Sequence, residues 1–193
     1  MTTSRMTLSA ILTLALAAPV LADDTSTSTA TPTPQQQCRT ERDQMGKATF
    51  AQTYGTNKNR SNAFGKCVSK RTHATDTAAA DAHTNASKQC DAEEAADPAA
   101  FKTKYGTGKN GSNAHGKCVS QKARAETTQT VSDETDADVS AAKSCKAERK
   151  ADPAAFKTKY GTNANKSNAF GKCVSAKAKA QTDSTDSQTD STS

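Results

Sequence analysis

Every leucine of the chain (residues 8, 12, 14, 16 and 21) and its only isoleucine (Ile11) lie within the first 22 residues. The other 171 residues have ten Val and Phe side chains, three Tyr and Met45 as their larger apolar groups. Leu, Ile, Val and Phe thus fall far below the one fifth under which disorder is the default. Ordering a residue costs about 1–2 kcal/mol of backbone entropy, which so few apolar side chains do not offset over the whole length. One large hydrophobic core is excluded, and order needs covalent help.

Six cysteines, at 38, 67, 90, 118, 145 and 173, are in a position to give it. The leucine-rich start itself reads as a secretory signal peptide: a charged MTTSR, a short apolar run, and the small Ala22 before DDTSTST. Cleavage is expected after Ala22. The run is shorter than the roughly 20 residues needed to span a bilayer, and no later segment could cross one. An exported chain meets oxidising surroundings, where an even cysteine count reads as a disulfide framework.

The cysteines bracket an internal repeat. NAFGKCVS occurs at 62–69 and 168–175, with NAHGKCVS at 113–120, and each is preceded by an aromatic pair, a YGT turn and a first cysteine. Phe50, Phe101 and Phe156 each stand 17 residues before the second cysteine of their copy. The economical pairing is Cys38–Cys67, Cys90–Cys118 and Cys145–Cys173. Within a copy the pattern is helix, turn, helix. Asp97-Pro98 and Asp152-Pro153 supply an N-cap and a helix-compatible proline. Phe and Tyr four residues apart share a face. Gly55, Gly106 and Gly161 are expected to be left-handed helix stops, and Asn57, Gly108 and Asn163 to need positive φ. The second helices are expected to start at Ser61, Ser112 and Ser167.

The expected fold is therefore all-α: three small disulfide-stapled helical units joined by flexible or partly helical linkers. In order these are a signal peptide (1–22), a disordered Thr/Pro-rich segment (23–36), unit 1 (37–71), an Ala/Thr linker that could be helical (72–87), unit 2 (88–124), an acidic linker (125–139), unit 3 (140–179) and a disordered tail (180–193). DPAAFKTKYGTN with NAFGKCVS resembles a repeat of uncharacterised secreted bacterial proteins, in which a Cys-bearing helix, a YGTN turn and an NAFGKCVS helix recur. The resemblance covers about 95 residues and implies no activity. The first copy departs from it, with Gly46 and no Asp-Pro, which leaves its first helix free to run straight through. His115 departs by replacing a Phe.

GTGKNG (106–111) matches a dinucleotide-binding pattern, but it follows a helix rather than a strand and its counterparts GTNKNR and GTNANK lack the glycines, so it reads as a turn. His73, His83 and His115 do not recur in register, and no CxxC accompanies the cysteines, so no metal, cofactor or catalytic group is assigned. The sequons at Asn59, Asn110 and Asn165, with a fourth at Asn85, read as turn and cap residues duplicated with the unit. Charge carries the most functional content. Residues 38–71 hold 8 basic and 2 acidic side chains, 88–124 hold 7 and 4, and 145–179 hold 9 and 2, while the rest of the chain is acidic. Basic units suit an anionic polymer or cell-envelope surface, contacted through Lys58, Arg60, Lys102, Lys104, Lys109, Lys157, Lys159 and Lys166. Sequence-specific nucleic-acid binding is not expected, because the aromatics that would stack on bases are needed in the core. The alternatives are a structural or spacer protein with no defined ligand and, remotely, an enzyme.

Overall fold

The computed structural model describes residues 30–189, with side chains to Ser184; the expected signal peptide and residues 23–29 lie outside them. The described chain is all-helical: α1 (Pro34–Met45), α2 (Lys47–Tyr54), α3 (Ala63–Ala96), α4 (Pro98–Tyr105), α5 (Ala114–Ala151), α6 (Pro153–Tyr160) and α7 (Ala169–Thr189). Three disulfides join Cys38 to Cys67, Cys90 to Cys118 and Cys145 to Cys173, with Cα–Cα distances of 6.0, 6.1 and 6.1 Å. Each ties the helix before a short aromatic helix to the helix after it.

Both linkers are helical, as the Ala/Thr segment 72–87 allowed. α3 carries the second cysteine of unit 1 and the first of unit 2, and α5 does the same for units 2 and 3. At 1.5 Å per residue these helices of 34 and 38 residues are about 51 and 57 Å long. Segment 125–139, expected as a mobile acidic linker, is the middle of α5, and Val131, Thr135, Ala137, Asp138 and Val139 are buried there. Composition misled because the residues on either side are already helical: extending a helix avoids the cost of nucleating one. The same holds for the tail, which continues α7 from residue 180 to Thr189. At the other end, order begins before residue 37. Thr33 accepts from Gln36 N while the Gln36 side chain accepts from Thr33 N, a capping box that starts α1 at Pro34.

Contacts run in opposite directions along neighbouring helices: Arg71 with Glu134, Asn85 with Glu126, and Lys177 with Ser144. α3, α5 and α7 therefore lie antiparallel, which places units 1 and 3 together at one end and unit 2 alone at the other. One core cluster joins Phe50, Tyr54, Phe156, Phe170 and two cystines with small residues of α5. A second, smaller one holds unit 2: Ala86, Phe101, Tyr105, Ala114, Val119 and the third cystine.

The short helices start as expected in units 2 and 3, where the Asp97 and Asp152 carboxylates accept from the next two free backbone N–H groups at 2.9–3.1 Å. Unit 1 lacks this cap, yet its first helix does not run through. Gly46 breaks it, at φ 81° and ψ 148°. The helix stops at Gly55, Gly106 and Gly161 are not left-handed; their φ values are −72°, −71° and −75°. Glycine is required there by close approach, since a Cβ on Gly55 would sit 2.5 Å from both Ala51 O and Arg60 Cβ. The positive-φ position shared by the three copies is Arg60 (56°), Gly111 (60°) and Lys166 (54°), not Asn57 or Asn163, although Gly108 is also positive. The second helices begin at Ala63, Ala114 and Ala169, two residues after the expected serines. Asn62 closes the intervening turn, accepting from Thr56 N at 3.0 Å and donating to Thr56 Oγ1 at 2.8 Å. Asn113 with Thr107 and Asn168 with Thr162 repeat this bond pair.

Candidate functional site

The eight cations expected to contact a polyanion are split between the two ends. Lys58, Arg60, Lys157, Lys159 and Lys166 lie with units 1 and 3, and Lys102, Lys104 and Lys109 with unit 2. They also differ in freedom. Lys58, Lys102, Lys109 and Lys157 are exposed, with no partner among the described residues. Lys166 donates to Gly161 O at 3.3 Å. Arg60 is structural: its guanidinium donates to Gln52 O at 3.0 Å and across to Ser167 O at 3.1 Å, fastening the unit 1 turn to that of unit 3. Lys104 and Lys159 are held by Glu93 and Glu148 at 3.4 and 2.9 Å, and each stands over the ring of the next tyrosine.

Those carboxylates belong to a constellation present in all three units. Glu41, Glu93 and Glu148, each three residues after the first cysteine, accept from the hydroxyls of Tyr54, Tyr105 and Tyr160. A cation four residues after the second cysteine completes each group. Lys122 reaches Glu93 at 2.7 Å, Lys177 reaches Glu148 at 3.1 Å, and Arg71 reaches Glu41. In units 2 and 3 the glutamates are about one third exposed. Hydrogen bonds hold both carboxyl pKa values down at about 2, from Lys122 first and then Tyr105 for Glu93, and from Lys159 first and then Lys177 for Glu148.

Unit 1 buries its version. Arg71 and Glu41 are buried, and α5 adds the buried Asp138 and Glu134. The guanidinium contacts Glu41, Asp138 and, at 3.1 Å, Glu134, while Lys70 reaches Asp138 at 2.7 Å and Tyr54 lies 3.0 Å from the same carboxylate. Burial pushes the Glu41 carboxyl above its ordinary range despite the pull of Arg71. It pushes the Tyr54 hydroxyl up as well, reinforced by Asp138 and Glu41. Burial opposes the Arg71 charge, but Glu41 and Asp138 outweigh it and raise its pKa. The cluster is an inter-helix lock, its cations and carboxylates engaged by the protein itself.

The recurring Glu is visible in the aligned CRTE, CDAE and CKAE. It escapes a search for carboxylate pairs because its partners are a tyrosine and a lysine or arginine. His73 and His83 are exposed on α3. His115 packs 6.5 Å from the Phe101 ring and lies 2.8 Å from Asp91 Oδ1, so it fills the place of the missing Phe. GTGKNG is the turn between α4 and α5. The sequon residues Asn59, Asn110 and Asn165 accept from the N–H groups of Ser61, Ser112 and Ser167, and Asn85 donates to Glu126 on the neighbouring helix.

Comparison with protein families, with curated proteins and with solved structures finds no match for this chain. Among the described residues no helix is long and apolar enough to cross a membrane. Three cystines fit an oxidising, extracellular environment.

Proposed function

We propose that this is an exported, non-catalytic repeat protein whose basic units bind an anionic polymer or cell-envelope surface. The observation that carries this reading is an asymmetry in how charges are used. Glu41, Glu93, Glu134, Asp138 and Glu148 are engaged by cations or tyrosines of the same chain, whereas Lys58, Lys102, Lys109 and Lys157 project from turns and short helices with no partner among the described residues. The free charge on the units is thus mainly positive, Glu94 being the one unit carboxylate with no partner among the described residues, and it sits on helices joined by cystines. Such a surface attracts polyanions and loses that attraction as salt screens it.

Retention of the oxidised chain on an anionic resin and on envelope material, at two ionic strengths, tests the reading. Retention should fall steeply with salt and drop when the four unpartnered lysines become glutamine. Retention indifferent to both changes leaves the spacer reading, which the two helices of about 51 and 57 Å support on their own.

A further inference from the structure

The three units present the same face, but the space over it differs from copy to copy. In unit 1 it is narrowed by neighbouring helices, although Gly65 has open space at its Cβ position. Asp138 of α5 reaches Tyr54 and Lys70, and Ser175 and Ala178 of α7 share a cavity of about 230 Å³ with Lys70 and Ala74. In unit 3 the corresponding part of α7 meets α2. A Cβ on Gly171 would lie 2.9 Å from Thr53 O, and Lys172 and Ser175 share a cavity with the unit 1 turn. Among the described residues no helix covers unit 2, alone at its end of the bundle; Thr31, ahead of α1, meets Thr128 at the far edge of this face at 2.7 Å. Gly116, the counterpart of Gly171, has nothing within 4 Å of its Cβ position. The uncovered face forms a groove of about 770 Å³ between the end of α4 and the first turns of α5, lined by Tyr105, Ser120 and Gln121 and edged by Lys104, Lys117 and Arg124.

We propose that this groove is the one polymer-binding groove of the chain and that it takes a linear, carboxylate-bearing polymer. This rests on the polyanion reading and narrows it from three equivalent units to one site. Carboxylate is the chemistry that the equivalent face of unit 1 already receives, from Asp138 and Glu134. In unit 2 the two positions that receive it there, Lys70 and Arg71, are Gln121 and Lys122, and Lys122 is committed to Glu93. Positive charge stands at the rim instead, from Lys117, which the other copies carry as Lys66 and Lys172, and from Arg124, where unit 1 has His73. Lys117 and Arg124 are exposed, have no partner among the described residues, and stand seven residues apart on α5, about 10.5 Å along its axis. Rim charges spread along an open channel suit a strand lying lengthwise better than a single buried anion. A second copy of the chain is the other natural occupant, since units 1 and 3 meet through this face. Charge argues against it, because two such grooves would bring together three cations from each with no carboxylate in either lining.

The probe is polygalacturonate, titrated at low salt against the full oxidised chain. K117Q/R124Q removes two charges from the groove, K47Q/K150Q removes two at exposed positions outside every proposed contact, and Ser120→Trp fills the groove without changing charge. All three alter exposed positions, and thermal unfolding checks that each folds. The expected result is one polymer segment bound per chain, an affinity loss of about tenfold for K117Q/R124Q and for Ser120→Trp, and a loss under about threefold for K47Q/K150Q. Equal losses in the two charge variants, with Ser120→Trp binding like the parent, would overturn the groove while leaving the polyanion reading intact. No binding by the parent at any salt would instead remove the polyanion reading. Self-association of the free chain that Ser120→Trp abolishes would give the face to a second copy and overturn the proposal.

Discussion

Arg71 on α3 and Asp138 on α5, 67 residues apart in sequence, form an ion pair in which the side chains are 1 % and 2 % exposed. Asp138 comes from a segment whose composition reads as a solvated linker, and Arg71 closes unit 1. Their contact turns a string of stapled hairpins into one bundle.

Removing one side of that pair is the sharpest test of the bundle. In Arg71→Met, Glu41 and Asp138 remain buried without their shared cation, a situation that typically costs about 3–5 kcal/mol. Urea unfolding at neutral pH with the cystines intact should show a loss of that size. The loss should shrink in acid, as protonation removes the charge left on Glu41, while Asp138 keeps Lys70 at 2.7 Å. Lys122→Met, at the exposed counterpart in unit 2, should cost far less because water solvates the Glu93 left behind. Equal losses in the two variants would mean that Arg71 is not the lock between α3 and α5.

What the sequence discloses is local, and what it conceals is long-range. The repeat, the cystine pairing, the Asp97 and Asp152 caps and the Phe–Tyr pairs all come from residues near one another in the chain. The joining of units 1 and 3 does not. It depends on Thr53 standing where the other copies have Lys104 and Lys159, and on Gly171 meeting the backbone beside it, a contact that Gly65 and Gly116 do not make. Identical letters in three copies hide three different environments, so a pattern drawn from the repeat alone predicts equivalent units. The polyanion residues show the same limit. Arg60 is as basic as Lys58, and only the fold reveals that its guanidinium is used to hold two turns together.

Acid stability should be governed by two opposite effects. Glu93 and Glu148 have folded pKa values lowered to about 2 from an ordinary 4.5. Their contribution is present above pH 4.5 and is lost as pH falls toward 2. Glu41 is shifted the other way by burial, so its contribution is present below 4.5 and is lost as pH rises through its raised value. The thermal midpoint measured from pH 7 to pH 2 should therefore fall mainly below pH 4.5. Glu93→Gln/Glu148→Gln should flatten that fall, and an unchanged profile would refute the assignment.

The cystine of unit 2 should matter more locally than the other two. Closing a loop of 28 residues is worth about 3.6 kcal/mol in the chain-entropy account, and the small cluster around Phe101 has no second unit to lean on. With Cys90→Ser/Cys118→Ser, hydrogen exchange should become fast across α4 and the start of α5 while α1, α2 and α7 stay protected. Uniform deprotection would show instead that the bundle unfolds as one cooperative block.

The three glycines of the GKCVS helices make the docking of units 1 and 3 testable without touching a charge. Gly65 and Gly116 have open space at their Cβ positions, and alanine is the better helix former by about 1 kcal/mol, so Gly65→Ala and Gly116→Ala should stabilise the chain by up to that amount. Gly171→Ala gains the same propensity but places its methyl 2.9 Å from Thr53 O, inside contact distance with a backbone atom that has no rotamer to change. α2 and α7 must then move apart, straining the Arg60–Ser167 bond and exposing the edge of the larger core. The net effect should be a loss of stability, with faster exchange at the turns of units 1 and 3 and none at unit 2. If Gly171→Ala is as stabilising as Gly116→Ala, the two units do not dock through this face.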